Sequence, residues 1–263
     1  MFIDSKKLLN LALGKGGDYA DLYLEQTYSN DLVLRDGEVN TVGILHEGGL
    51  GIRVVKDQNT GYAFTESSLP ADREKAAITA SYIADRGAHV RAPDQFTTWH
   101  LPDRYRAQTP WDSITAQEKT PFLYELNDLV FGADKRVCKV IARLADSTST
   151  IEFHNSLGDH FLDIRPLASL RVTCIMEQEG QIETASVSRS FRMGAEFLTL
   201  ELIKELSREV VEQTAFLFGA RQPKGGEMPV VMSAGSSGIL LHEAVGHAFE
   251  ADFIRKNESV FSE

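Results

Sequence analysis

An α+β fold follows from two features of the chain. Runs of alternating apolar and polar residues cluster into blocks joined by tight-turn signals, and stretches of helical periodicity stand before and after each block. Two such helix-plus-antiparallel-sheet regions are expected, at residues 1–107 and 108–222. Residues 223–263 form a third segment, too short to hold a core of its own.

In chain order, Asp4 or Ser5 caps a short helix with Leu8, Leu9, Ala12 and Leu13 on one stripe, ended by Gly14 and Gly16-Gly17. The period then drops to two. Ala20, Leu22 and Leu24 alternate with Asp21, Tyr23 and Glu25, and Leu32 and Leu34 lead into the hairpin signal Asp36-Gly37. Strands are expected at 39–47, 50–55 and 62–65, parted by Gly48-Gly49 and by a turn at 57–61, which makes an antiparallel meander. Pro70 opens a helix to about residue 86, with Ala77, Ser81 and Ala84 on one side and Gly87 past its end. Residues 88–110 carry Pro93, Pro102 and Pro110 and little periodicity, so they read as a linker or a surface excursion between domains.

Beyond it, Asp112 or Ser113 starts a helix to about residue 131, with a kink or break at Pro121. Strands resume at 136–146, 151–154, 160–165, 168–179 and 181–191, with turns at Asn155-Ser156-Leu157-Gly158-Asp159 and Glu179-Gly180. A helix from about 196 to 218 buries Leu202, Ile203, Leu206, Val210 and Leu217 and stops at Gly219. After the break at Pro223-Lys224-Gly225-Gly226, residues 228–232 read as a strand that delivers the chain to a last helix.

Bulk properties narrow the function classes. At 263 residues and 43% hydrophobic content the chain has ample material for real cores. A net charge of −11 argues against a nucleic-acid-binding surface, which needs clustered Lys and Arg. No apolar run approaches the roughly 20 residues of a membrane span, and the N-terminus lacks the order of a signal peptide, so a cytoplasmic location without membrane contact is expected. Cys138 alternates with Val140, Ala142 and Leu144, and Cys174 with Leu170, Val172 and Met176, so both cysteines are expected in cores.

The chemically loaded stretch is His242-Glu243-Ala244-Val245-Gly246-His247, preceded by Ile239, Leu240 and Leu241 and followed by Ala248 and Phe249. It puts two imidazoles and a carboxylate in a helix that is otherwise apolar and is expected to be buried, with Ser236 or Ser237 as its cap. Burying three such groups is costly unless they are compensated. A divalent metal does so by binding the imidazoles, with the carboxylate facing the ion's water. The histidines stand five residues apart, so on a regular helix they point roughly 140° away from each other. A distortion near Gly246, such as a π-bulge or kink, is therefore required for His242 and His247 to share one ion.

Glu227-Met228-Pro229-Val230-Val231-Met232, then Gly238-Ile239-Leu240-Leu241-His242-Glu243-Ala244-Val245-Gly246-His247 and Glu250-Ala251-Asp252-Phe253, resembles the TldD branch of the TldD/PmbA metallopeptidases, once called modulators of DNA gyrase. The resemblance extends back through Gly48-Gly49-Leu50-Gly51-Ile52-Arg53-Val54 and Asn155-Ser156-Leu157-Gly158, over nearly the whole chain. It implies Zn2+ held by His242 and His247, Glu243 as general base, and hydrolysis of short or unfolded peptides that pair with the enzyme as an added β-strand. It also implies a partner subunit of the TldE/PmbA type, which lacks the metal motif. A third ligand, a cysteine, is expected beyond Glu263, in a mostly β C-terminal domain of which residues 223–263 are the start. The chain thus reads as truncated, and by itself is expected to hold zinc weakly and not to cleave peptides.

Other polar residues fit bland roles. Glu250 and Asp252 read as solvated or ion-paired acids rather than substitute ligands. His46, His89, His100, His154 and His160 show no ligand spacing and are expected to be structural or on the surface. Gly235-Ser236-Ser237-Gly238 lacks the register of a nucleophile elbow, so its serines are read as helix caps. The competing reading of the whole is a non-catalytic, truncated chain that acts only as an assembly or interaction module.

Overall fold

The computed structural model describes residues 3–84, 90–221 and 224–262. The chain divides into two compact units, Met1–Ala220 and Arg221–Glu263.

The first unit is a mixed α+β layer on one seven-stranded sheet, ordered β3-β2-β1-β5-β6-β4, with β7 also paired to β6. Its strands are β1 (Tyr19–Arg35), β2 (Glu38–Lys56), β3 (Asn59–Thr65), β4 (Thr97–Trp99), β5 (Val137–Asn155), β6 (Asp159–Gln178) and β7 (Gln181–Phe191). All pairings are antiparallel except that of β4 with β6. The hairpin turns fall where they were expected. Asp36 and Gly37 both take positive φ, 52° and 79°, which matches the right-handed twist of the flanking strands. Glu179 and Gly180 repeat the device at 54° and 82°. At the β5–β6 turn the Asn155 side chain accepts from the backbone N–H of Leu157 and of Asp159, an Asx turn.

Three breaks expected within strands are absent. β2 runs straight through Gly48-Gly49, β5 through 147–150 and β6 through Pro166. The two glycines mark close approach, not a turn. A Cβ on Gly48 would lie 3.2 Å from the Glu25 carbonyl oxygen, and one on Gly49 3.2 Å from that of Thr65. In β1 the residues that alternate inward, Ala20, Leu22 and Leu24 near the start and Leu32 and Leu34 near the end, share one parity and hence one sheet face. The first three join a core with Leu8, Leu9 and Leu13 of α1 (Ser5–Leu13) and Ala76, Ala77 and Ala80 of α2 (Pro70–Ser81). The last two join a second core with Leu123 and Leu126 of α3 (Ala116–Ala133) and Ile203, Leu206 and Val210 of α4 (Leu200–Leu217). The middles of β1 and β5 are polar, as in the Thr27–Ser149 hydroxyl contact of 2.7 Å, whereas those of β2 and β6 expose Val42, Ile44, Leu45, Ile164 and Leu167. In the sequence, the polar run hides the continuity of β5, and the glycine pair and Pro166 hide that of β2 and β6.

The helices differ from expectation mainly at their starts. A 3-10 turn occupies Trp111–Ser113, and α3 begins only after Thr115, which forms a capping box with Glu118. Pro121 does not divide the helix; the carbonyl its missing N–H leaves free belongs to the exposed Gln117 on the solvent side. α4 starts after a Thr199 cap rather than at Glu196. α2 ends at Ser81, although Ala77, Ser81 and Ala84 are buried as expected; Gly87 and His89 lie outside the described residues. Cys174 is buried but Cys138 is exposed. A register shift between Val137 and Lys139 turns Val137 inward at the position that alternation assigned to Cys138.

The excursion at 88–110 is tied down along the described part of its length. β4 pairs with β6, and the Trp99 indole donates to Asp159 over 2.7 Å. The Glu196 carboxylate accepts backbone N–H bonds from Gln108, Thr109 and Gly194 at 3.0, 2.9 and 3.1 Å. Burial pushes that carboxyl up, but these backbone donors outweigh it and hold the group below its ordinary range.

In the second unit, α5 (Ser237–Ala244), a 3-10 turn (Gly246–Phe249) and α6 (Ala251–Arg255) follow one another. Residues 228–232 form no strand, since no neighbouring strand pairs with them among the described residues. The expected burial of the motif helix is also absent: none of its residues is buried, and Ile239 is 63% exposed. A segment this short has no second layer to pack against.

Candidate metal centre

The strongly apolar sequence of α5 supports a helix, but its start differs from the expected cap. Ser236 makes no capping bond, and the Ser237 hydroxyl donates instead to the Ser233 carbonyl. The regular helix stops after Ala244. Val245, at φ −130° and ψ −44°, leaves the helical region, and the chain continues from Gly246 as a 3-10 turn. The break at Val245 redirects the chain, and the His247 ring comes to lie beside that of His242. Their ring centroids lie 4.4 Å apart at an interplanar angle of 65°. The five-residue spacing is thus absorbed by a helix break rather than by a π-bulge.

One donor atom from each of His242, Glu243 and His247 lies within 4.8 Å of the others. Glu243 Oε2 is 3.5 Å from His247 Nε2. Two neutral imidazoles and a carboxylate suit a divalent ion of the zinc type, and separations of this size let them surround one ion or one ion and its water. Glu250, read from sequence as a solvated or ion-paired acid, is paired, accepting from His247 Nδ1. This hydrogen bond, more than the nearby charge, raises the proton affinity of the His247 ring. It also leaves Nε2 on the side of Glu243, the second-sphere arrangement that orients metal-ligating histidines. The signal for it was present in the i, i+3 spacing of His247 and Glu250. Asp252 sits in the first turn of α6, outside the donor group. Behind the 3-10 turn, Phe249 stacks on Phe261 with centroids 4.3 Å apart, and the Ser259 hydroxyl donates to the Ala248 carbonyl.

Of the remaining histidines, His46 stacks on Tyr28 at 4.1 Å, as a structural role requires. His154 and His160 depart from expectation, because the β5–β6 hairpin places them directly opposite each other with Glu152 alongside.

Two imidazoles and a carboxylate converging at a helix break are a donor set of the kind that metal-dependent hydrolases use. The chain belongs to the PmbA/TldA metallopeptidase family. The family's first domain matches residues 20–91, its central domain 109–215 and its C-terminal domain 225–263. Among curated relatives, "Metalloprotease TldD homolog" of Haemophilus influenzae is 31% identical over 251 residues, covering 93% of this chain and 52% of that protein. "Zinc metalloprotease TldD homolog" of Saccharolobus solfataricus is 24% identical, covering 94% of this chain and 53% of its own length. The chain therefore spans about half the length of the relatives it matches. Among solved structures, a protein of Bacteroides thetaiotaomicron described as a candidate modulator of DNA gyrase shares the fold at a TM-score of 0.75 and 18% identity, over 97% of this chain and 60% of that one. TldE from Thermococcus kodakarensis aligns at a TM-score of 0.57 and 15% identity, over 79% and 46%.

Proposed function

We propose that the chain is the metal-bearing part of a zinc metallopeptidase subunit of the TldD type, acting on short or unfolded peptides. The observation that carries this is the convergence of His242 and His247 across the helix break, with Glu243 beside them. His242 and His247 would hold Zn2+ together with a third ligand from outside this stretch, and the ion, when bound, would supply Lewis acidity and acidify water at the site. Glu243 takes the proton of the attacking water and delivers it to the departing amine, while Glu250 keeps His247 oriented.

The same reading divides the chain at 1–107, 108–222 and 223–263, pairs it with a TldE/PmbA-like subunit, and places it in the cytoplasm. No helix among the described residues is long and apolar enough to cross a membrane. The competing reading, an assembly module without catalysis, draws on the exposure of Ile239, Leu240 and Leu241. On the chain extended to the length of its relatives, zinc content after dialysis, with cleavage of an unstructured peptide measured with and without a TldE/PmbA-like subunit, separates the two. The proposal expects zinc and cleavage that both fall with His242→Ala. Cleavage that survives His242→Ala, or a complete complex without zinc, would overturn it.

A further inference from the structure

We propose that Glu152, His154 and His160 form a second binding site, on the sheet of the first unit, for a divalent transition ion of the zinc type. The hairpin builds it. His154 on β5 and His160 on β6 are direct cross-strand partners, and Glu152 lies two residues before His154 on the same face. The rings stack with centroids 4.3 Å apart at 21°, and one donor atom from each of the three side chains lies within 4.8 Å of the others.

Glu152 Oε1 is hydrogen-bonded to His154 Nε2, and the three donor atoms stand close enough together for one ion to take the place of that bond. Glu152 Oε1 lies 2.9 Å from His154 Nε2 and 3.6 Å from His160 Nε2. The second distance exceeds a good hydrogen bond, whereas metal bonds of about 2.0–2.2 Å put neighbouring donors about 3.0–3.5 Å apart. The outer side of the His160 ring is already engaged, its Nδ1 3.2 Å from the Thr98 hydroxyl. With the proton on that nitrogen, the Nε2 lone pair faces the carboxylate, as a metal ligand's must. Phe96 fixes His154 by an edge contact at 5.4 Å, and His154 is only 8% exposed, so this ligand is held rigidly. The side chains of His160 and Glu152 keep 24% and 25% exposure, enough to admit an ion and to leave positions open to water. Two imidazoles and one carboxylate favour zinc, cobalt or iron(II) over calcium or magnesium.

The test separates this site from the other candidate centre. In a His242→Ala/His247→Ala background the chain is titrated with Co2+ alone, followed by its visible absorption, and then with Zn2+ in competition. One Co2+ per chain, displaced by Zn2+, is expected. Glu152→Gln should weaken binding at least about tenfold, and His160→Gln should abolish it, with the far-UV circular dichroism unchanged. If His160→Gln does not fold, the isosteric Glu152→Gln decides alone. Absence of stoichiometric Co2+ binding in that background, or binding within twofold of the parent in Glu152→Gln, overturns the proposal.

Discussion

Lys119 on α3 and Asp146 on β5 meet at 2.7 Å with side chains 3% and 1% exposed, the most deeply buried ion pair among the described residues. The pair is satisfied from several sides. Asn30 donates to the other carboxylate oxygen over 2.8 Å, and the ammonium lies 5.2 Å from the Trp111 ring centroid. Removing one partner strands a buried charge, so Asp146→Ala should lower unfolding stability by about 3–5 kcal/mol in urea titration. Lys119→Met/Asp146→Leu should lose much less. At the end of α3, Asp134 accepts from the Arg136 guanidinium and backbone, which holds its carboxyl down at about 2 from an ordinary 3.8. A folded-state pKa below the unfolded one gives stability that is present above about pH 4 and lost as pH falls toward 2. Asp134→Asn should therefore lower stability at neutral and alkaline pH and flatten the acid limb, so that parent and variant converge as pH falls toward 2. Neither contact was legible in the sequence, because each pairs residues whose closeness depends on a turn or on register. His242, Glu243 and His247 were legible, since the motif is local.

At the scale of elements, α2 lies so close to β3 that a side chain at Gly61 would collide with the Ala80 carbonyl and, at 2.7 Å, with Ile83 Cβ. Gly61→Ala should push the helix outward and destabilise the first core by about 1–3 kcal/mol, with faster amide exchange in 70–81 than in α3. Leu123→Ala in the second core should cost about 2–5 kcal/mol and leave exchange in α2 unchanged until global unfolding. Helix faces and hairpin turns could be read because Leu8, Leu9, Ala12 and Leu13 in one helix, and Ile203, Leu206 and Val210 in another, recur at helical spacing and Asp36-Gly37 fits one turn type. Strand length could not. β2 and β6 read as pairs of shorter strands because Gly48-Gly49 and Pro166 mimic breaks, and β5 because its stretch at 147–150 is polar. The inward turn of Val137 in place of Cys138 depends on a register shift that no local pattern marks.

The whole molecule joins an α+β unit, whose two cores share one sheet face, to a short segment that carries the motif without burying it. That exposure follows from length, since Arg221–Glu263 has no second layer of its own, and the relatives run about twice as long as the chain. The central claim is that His242 and His247 hold a catalytic zinc while Glu243 moves the proton. It is tested most directly on the chain extended to the length of its relatives and combined with its partner subunit. Zinc content and hydrolysis of an unstructured peptide are measured side by side for the parent, Glu243→Gln and His247→Ala. The account predicts that Glu243→Gln keeps the parent's zinc while its rate falls about 100- to 10,000-fold, and that His247→Ala loses both. A Glu243→Gln protein that cleaves within a few-fold of the parent, or that loses zinc in step with activity, would contradict it.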